Sequence, residues 1–202
     1  GVRDWIVASD GNDETPLGWT DWNQWINQAS DSPPEPLDID ENDLVSINYT
    51  SGTTARPKGV MMTHRNCYIN AYNLIAHLGV RHDDVELWTL PMFHCNGWGG
   101  VYALTGVAGT HVILRSIEAQ RIYQLIADEG VTHFGGAPIV LNMMVNATEA
   151  ERRAFDYQVE IFTAGAPPAP ATLSKIEALG FNVTQVYGLT ETYGHVTECL
   201  WD

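Results

Sequence analysis

Positive charge is scarce in this sequence. Lys and Arg together number 10 against 25 Asp and Glu, and the formal net charge is −15 over 202 residues. That balance excludes a surface built to neutralise a phosphate backbone or an anionic bilayer, so nucleic acid is not an expected partner. Cysteine is scarce as well. Cys67, Cys95 and Cys199 are far apart and odd in number, which excludes a disulfide framework, and no Cys/His spacing suits zinc. Reduced thiols in a cytoplasmic protein are the expectation. No apolar run reaches the ~20 residues of a spanning helix, so no transmembrane segment is predicted, and no signal peptide opens the chain. Internal repeats and low-complexity tracts are absent too. The first residue is Gly1 and the sequence starts in mid-pattern, so it reads as a piece of a longer protein.

Apolar residues are plentiful, at 45% of the chain, enough for one domain with a real core. Residues 1–43 read as an N-terminal segment. It holds a strand, or the end of one, within residues 1–9 (Val2, Trp5, Ile6, Val7) and a helix opening at Thr20 or Asp21, with Trp22, Trp25, Ile26 and Ala29 on its packing face. An acidic, Pro-rich connector runs from Asp31 to Asp43. From residue 44 to 202 the pattern alternates. Strands are predicted at 44–49, 59–63, 85–90, 110–114, 131–134, 161–163 and 183–187. Helices are predicted at 64–78, 98–107, 117–129, 138–145, 149–155 and 169–179. Tyr68, Tyr72, Ile75 and Leu78 form the expected inward stripe of the first of these helices; Ile122, Leu125 and Ile126 do so in the third. Such alternation predicts an α/β fold, a largely parallel sheet flanked by helices.

The chemistry concentrates in Thr50-Ser51-Gly52-Thr53-Thr54-Ala55-Arg56-Pro57-Lys58-Gly59. Hydroxyls, backbone N–H groups and one ammonium can converge here on a single point, as a polyphosphate requires. The bland alternative is a polar hairpin loop. The run is not the standard P-loop, because Gly59-Val60-Met61-Met62 follows the lysine where that loop has Ser or Thr opening a helix. Thr50, His94, Gly165 and Tyr187-Gly188 each lie just after a predicted strand. In an open α/β sheet the ligand crevice lies beyond those strand ends.

Three segments, in order, resemble the adenylate-forming superfamily of acyl-CoA synthetases, luciferases and peptide-synthetase adenylation domains. They are Tyr49–Val60, Leu90-Pro91-Met92-Phe93-His94-Cys95-Asn96-Gly97-Trp98 and Tyr187-Gly188-Leu189-Thr190-Glu191-Thr192. The wording is similar to acyl-CoA synthetases of the fatty-acid and plant acyl-activating kind, and the resemblance runs from about residue 40 to the end. It departs at Ala55, where most members carry Gly, which reaches positive φ more easily.

The resemblance implies the central part of the large N-terminal domain of an ATP-dependent acyl-CoA ligase. A carboxylic acid and ATP would give acyl-adenylate and pyrophosphate, and coenzyme A would then take the acyl group as a thioester. The acid would be a medium- or long-chain fatty acid or an aromatic acid. By the same resemblance Thr50, Ser51, Gly52, Thr53, Thr54 and Lys58 hold the phosphates; Gly165, Ala166 and Pro167 approach the adenine. Tyr187, Gly188, Leu189 and Thr190 complete the nucleotide site, with Tyr187 against adenine and Thr190 on the α-phosphate. Glu191, with Thr50, holds magnesium. His94 borders the incoming carboxylate and Trp98 the acyl tunnel. His94, Thr190, Glu191 and Lys58 are thus the candidate catalytic residues. A homodimer is compatible with this reading. The family's ribose-binding aspartate, hinge and C-terminal domain lie downstream of these motifs, so the chain alone is expected to bind nucleotide weakly and not to turn over. The rivals are another adenylating enzyme of the superfamily, a phosphotransferase, and a non-catalytic nucleotide-binding module.

Overall fold

The structure is a computed structural model and describes residues 4–9, 14–50 and 56–199. The chain divides into two compact units, residues 1–39 and 40–202. In the first, β1 (Ile6–Val7) pairs in parallel with β2 (Thr20–Asp21), and Trp5 stacks on Trp19 with ring centroids 4.8 Å apart. The Asp21 carboxylate caps α1 (Trp22–Asn27) by accepting from the Gln24 N–H. The expected packing face of that helix stays open: Trp22, Trp25 and Ile26 are each more than two-fifths exposed.

The second unit begins with an antiparallel hairpin, β3 (Leu44–Thr50) and β4 (Lys58–Thr63). Thr63 then caps α2 (His64–His77): its hydroxyl accepts from the Asn66 N–H, and the Asn66 side chain accepts from the Thr63 N–H. The sheet follows, built from β5 (Val85–Trp88), β6 (Thr110–Ile113), β7 (His133–Gly135), β8 (Val159–Thr163), β9 (Phe181–Leu189) and β10 (Gly194–Glu198). Its spatial order is β10-β9-β8-β7-β5-β6. Neighbours are parallel except β10, which returns against β9 as a hairpin. The connecting helices are α3 (Gly100–Gly106), α4 (Ala119–Glu129), α5 (Pro138–Val145) and α6 (Pro170–Glu177). Pro opens α5 and α6 at positions whose N–H would be unpaired anyway, and Gly130 ends α4 in the left-handed conformation.

Side-chain alternation along the strands sorts residues to two faces. Leu87, Phe134, Ile161 and Val183 join Ile122, Tyr123, Leu125 and Ile126 of α4, Leu141 and Met144 of α5, and Ile176 of α6 in one buried cluster. The neighbours in sequence, Glu86, Trp88 and Phe162, line a cleft instead. Strand order reverses at β5: the chain steps to β6 on one side, then returns to β7 on the other. A ligand crevice is expected beside such a reversal.

Three expectations are corrected. Residues 149–155 form no helix; a single turn closes when the Glu151 carboxylate accepts from the Thr148 N–H and hydroxyl, and Phe155 then leaves to pack on Phe181. In α2 the buried residues are Cys67, Asn70 and Leu74, whereas Tyr68 and Tyr72 are more than half exposed. The predicted helix at 98–107 begins as a left-handed turn, and only its remainder is α3.

Candidate active site at the strand ends

The segment after β5 is the most contorted part of the described chain. Cys95, Asn96, Gly97, Trp98 and Gly99 all have positive φ, between 45° and 82°. A non-Gly residue in that region costs about 1–2 kcal/mol, so three of them in one turn persist only because surrounding contacts hold them. Asn70 of α2 supplies one such contact: its side-chain N–H donates to the Trp98 carbonyl at 2.8 Å. Gly99 and Gly194 both press on the Asn70 amide, and a Cβ at either would collide with it. Cys95 Sγ lies 3.2 Å from the Thr190 hydroxyl. The turn thereby presents His94 and Trp98 while tied to the hairpin that carries Thr190 and Glu191.

Glycine lets the other walls close in. At Gly188 a Cβ would stand 2.9 Å from the Trp98 ring and collide with the Gly194 carbonyl. A Cβ at Gly135 would strike the Leu90 side chain, and the Thr89 hydroxyl donates to the Gly135 carbonyl at the same place. Between these walls lies a cleft of about 230 Å³. His94, Gly97 and Trp98 form one end; Gly135 and Gly136 after β7 and Ala164 and Gly165 after β8 form a side. Leu74 and Leu78 of α2 cover it, and Glu86 and Trp88 form its floor on β5. The ends of four parallel strands thus meet in one cavity, as the sheet topology requires.

His94, Trp98 and Gly165 are together at this cleft; Thr190 is not part of its lining and is tied to the His94–Trp98 turn through Cys95. Tyr187 lies on β9 with more than half of its surface open, and Glu191 is exposed on the short turn 190–192. Ala166 and Pro167 are exposed just past the cleft. Thr50 and Lys58 face each other as cross-strand partners at the loop end of the β3–β4 hairpin. Ser51, Gly52, Thr53 and Thr54, expected to complete the phosphate loop, lie outside the described residues. The base of that hairpin is drawn to the Thr190 side: Met62 packs with Cys67 and with Tyr193, and Val45 and Val60 close around them.

Four residues here escaped the sequence reading: Asn70, Glu86, Cys95 and His195. Two carried a detectable sign, Glu86 as an ionisable residue inside a predicted strand and Cys95 as a thiol inside a motif, whereas Asn70 and His195 carried none. His195 is buried at the cleft wall beside the Asn73 amide, and burial lowers its pKa. His111 accepts from the Trp88 indole N–H at 2.9 Å and so fixes that ring. Burial pushes the Glu86 carboxyl up to about 7, and the Asp84 charge adds to the shift.

No group of three His, Cys, Asp or Glu side chains able to hold a metal occurs among the described residues. Magnesium does not need one, since it keeps several waters and takes one or two carboxylates plus substrate phosphates. The single exposed carboxylate of Glu191 fits that habit. All three cysteines are free, Cys67 and Cys95 buried and Cys199 exposed. Among the described residues no helix is long and apolar enough to cross a membrane.

A mostly parallel α/β sheet with glycine-walled strand ends belongs to the class of folds in which a ligand crevice is expected at the carboxyl edge of the sheet. The sequence matches the AMP-binding enzyme family over residues 2–202, and the chain belongs to that family. It is 45% identical over 170 residues to acetate–CoA ligase CCL3 of Humulus lupulus, an alignment covering 84% of this chain and 29% of that protein. It is 41% identical over 185 residues to the acetate/butyrate–CoA ligase AAE7, peroxisomal, of Arabidopsis thaliana, covering 91% and 32%. The N-terminal domain of FACL13 from Mycobacterium tuberculosis has a TM-score of 0.80 and 30% identity to it, over 90% of this chain and 46% of that one. The chain therefore spans about a third of the length of the curated relatives it matches.

Proposed function

We propose that this chain is the nucleotide- and acyl-binding part of an ATP-dependent acyl-CoA ligase. The observation that carries the reading is the convergence of His94, Trp98 and Gly165 in one cleft at the ends of parallel strands, with Thr190 tied to the same turn through Cys95. In the first half-reaction a carboxylate oxygen bonds to the α-phosphorus of ATP, the bond from that phosphorus to the bridging oxygen breaks, and pyrophosphate leaves. In the second, the sulfur of coenzyme A bonds to the acyl carbon, the bond from that carbon to the phosphate oxygen breaks, AMP departs and the thiol proton is released to solvent. Both partners of the first step are anions, so neutralising charge is the chief task of the protein.

Lys58 supplies a cation at the hairpin mouth in a chain that is otherwise strongly acidic, and Thr50 faces it across the two strands. The hydroxyls and N–H groups of residues 51–54 are the natural cradle for the outer phosphates. Thr190 donates to the α-phosphate, Tyr187 offers its open ring to adenine, and the backbone from Gly165 to Pro167 runs along the adenine edge. Glu191 with Thr50 would hold magnesium, which on binding spreads the charge of the phosphates. His94 receives the carboxylate of the acid and Trp98 walls its chain. The acid class implied by the motifs is a fatty or aromatic acid; the relatives' names add acetate and butyrate. The free thiols fit a reducing compartment, the cytoplasm in our reading, and fluorescence microscopy of the tagged full-length protein separates that from the peroxisome that one relative's name gives.

The decisive experiment is carboxylate-dependent ATP–pyrophosphate exchange by the full-length parent. Lys58→Ala is expected to lower exchange by about a hundredfold or more while AMP and pyrophosphate remain the products. ADP as product would indicate a phosphotransferase instead. Exchange unchanged by the substitution would remove the hairpin from the nucleotide site. The present chain alone is expected to show no exchange.

A further inference from the structure

Glu86 is an ionisable side chain that the reaction above does not use. It sits in the middle of β5, flanked by Val85, Leu87 and Trp88, and faces the cleft, not the aliphatic core. Both carboxyl oxygens point at the space above Gly100, 3.6 and 3.7 Å from where a Cβ on that glycine would stand. The carboxyl makes no hydrogen bond or ion pair with any other described residue. Its neighbours are already engaged. On β7, paired opposite Glu86, His133 lies 3.2 Å from the Asp84 carboxylate and 2.8 Å from the Thr132 hydroxyl. On β6, also paired with Glu86, His111 is held between the Trp88 indole and the Thr105 hydroxyl. Asp84, on the same side of its own strand, repels it. From the neighbouring helices, Leu74 of α2, Leu78 just past its end and Gly100 of α3 also line the cleft. His94 and His195 line the same cleft, and neither bonds to Glu86.

A half-buried carboxyl that no protein group bonds depends on what occupies the cleft, and covering it with apolar atoms is costly. Here the cavity itself is where a partner can come from. We propose that Glu86 sets the acyl preference of the site. The acid it accepts carries a hydroxyl or amino group at the end remote from the carboxylate, and that group donates to the Glu86 carboxyl. This rests on the ligase reading, with the carboxylate of the acid at His94. A methyl-terminated acid of equal length leaves Glu86 unpaired and displaces any water that serves it. Sites built to bond a polar substrate group discriminate strongly against analogues that lack it, far more than apolar walls discriminate between chain lengths. Gly100 belongs to the same arrangement, because a side chain there would fill the space into which the carboxyl points.

The test is kcat/KM for acyl-CoA formation by the full-length parent, with ω-hydroxy, ω-amino and methyl-terminated acids matched in length from three to about eight heavy chain atoms. Wild type is expected to favour the donor-bearing acid about tenfold to a hundredfold at its best length. Glu86→Leu is expected to reverse that order, raising activity on the methyl-terminated acid. Glu86→Gln is expected to keep the hydroxy acid and lose the amino acid. Gly100→Val, which leaves Glu86 in place, is expected to remove the preference by filling the space. Equal use of matched acids by wild type, or a preference unchanged in Glu86→Leu, would overturn the assignment while leaving the ligase reading intact. No turnover with any acid would overturn the ligase reading, and this one with it.

Discussion

The same strands present two different surfaces. On the side of α4, α5 and α6, Leu87, Phe134, Ile161 and Phe181 are at most 1% exposed and meet only apolar partners and rings. On the other side, their neighbours in sequence are Glu86, His133, Glu160 and Asn182, joined by bonds such as Asn182 to Glu160 at 2.7 Å. The packing face derives its stability from area removed from water. The cleft face is built from glycine, polar pairs and a left-handed turn, features that cost stability and yield shape. A fold can afford the second face because the first is so well filled.

That contrast can be broken most forcefully from the packing side. Phe134→Ala is expected to cost about 3–5 kcal/mol, read as a fall in the urea midpoint, since the ring is fully buried against Phe181. On the cleft side the largest effect is pH-dependent. The folded state holds the Glu86 proton more tightly than the unfolded chain does, with a pKa near 7 against an ordinary 4.5. The stability due to the neutral carboxyl is therefore complete below about pH 4.5 and is lost as pH rises through 7. The fall is expected to reach at most about 3 kcal/mol. Glu86→Gln should flatten the profile in that window, and parallel urea midpoints for the two proteins would check it. Smallest is Gly97→Ala, about 1–2 kcal/mol, because φ is +64° and the new Cβ would lie 3.0 Å from the Trp88 ring and from Val101. Thermal midpoints would show it, and a loss above 3 kcal/mol would mean the turn bears more of the packing than its contacts suggest.

Much of this architecture was legible in the sequence because period and punctuation agree. The strands around Leu87, Ile161 and Val183, and the buried trio of α4, follow from apolar spacing alone. What was hidden depends on backbone shape. In α2 the aromatic stripe of Tyr68 and Tyr72 looked like the packing face, but Asn70 is the residue that goes in, because two glycines approach it too closely for a larger apolar side chain. Hydrophobic period cannot register a polar residue chosen for what it clasps. The edge strand β10 went unseen because Gly-His-Val-Thr-Glu has no apolar run, and its place is set by pairing with β9. At the site, the lettering named His94, Trp98, Gly165 and Thr190 as candidates, and the first three line the cleft. It could not show that Glu86 faces the cleft, because that depends on which face of β5 the floor lies.

The Asn70 clasp has a consequence for how the two ends of the cleft communicate. One amide holds the turn that carries Trp98 and touches the hairpin that carries Thr190, and Cys95 spans the same gap. A ligand that shifts either element would therefore shift the other, and the coupling would be reciprocal: the change in affinity that one ligand imposes on a second, the second imposes on the first.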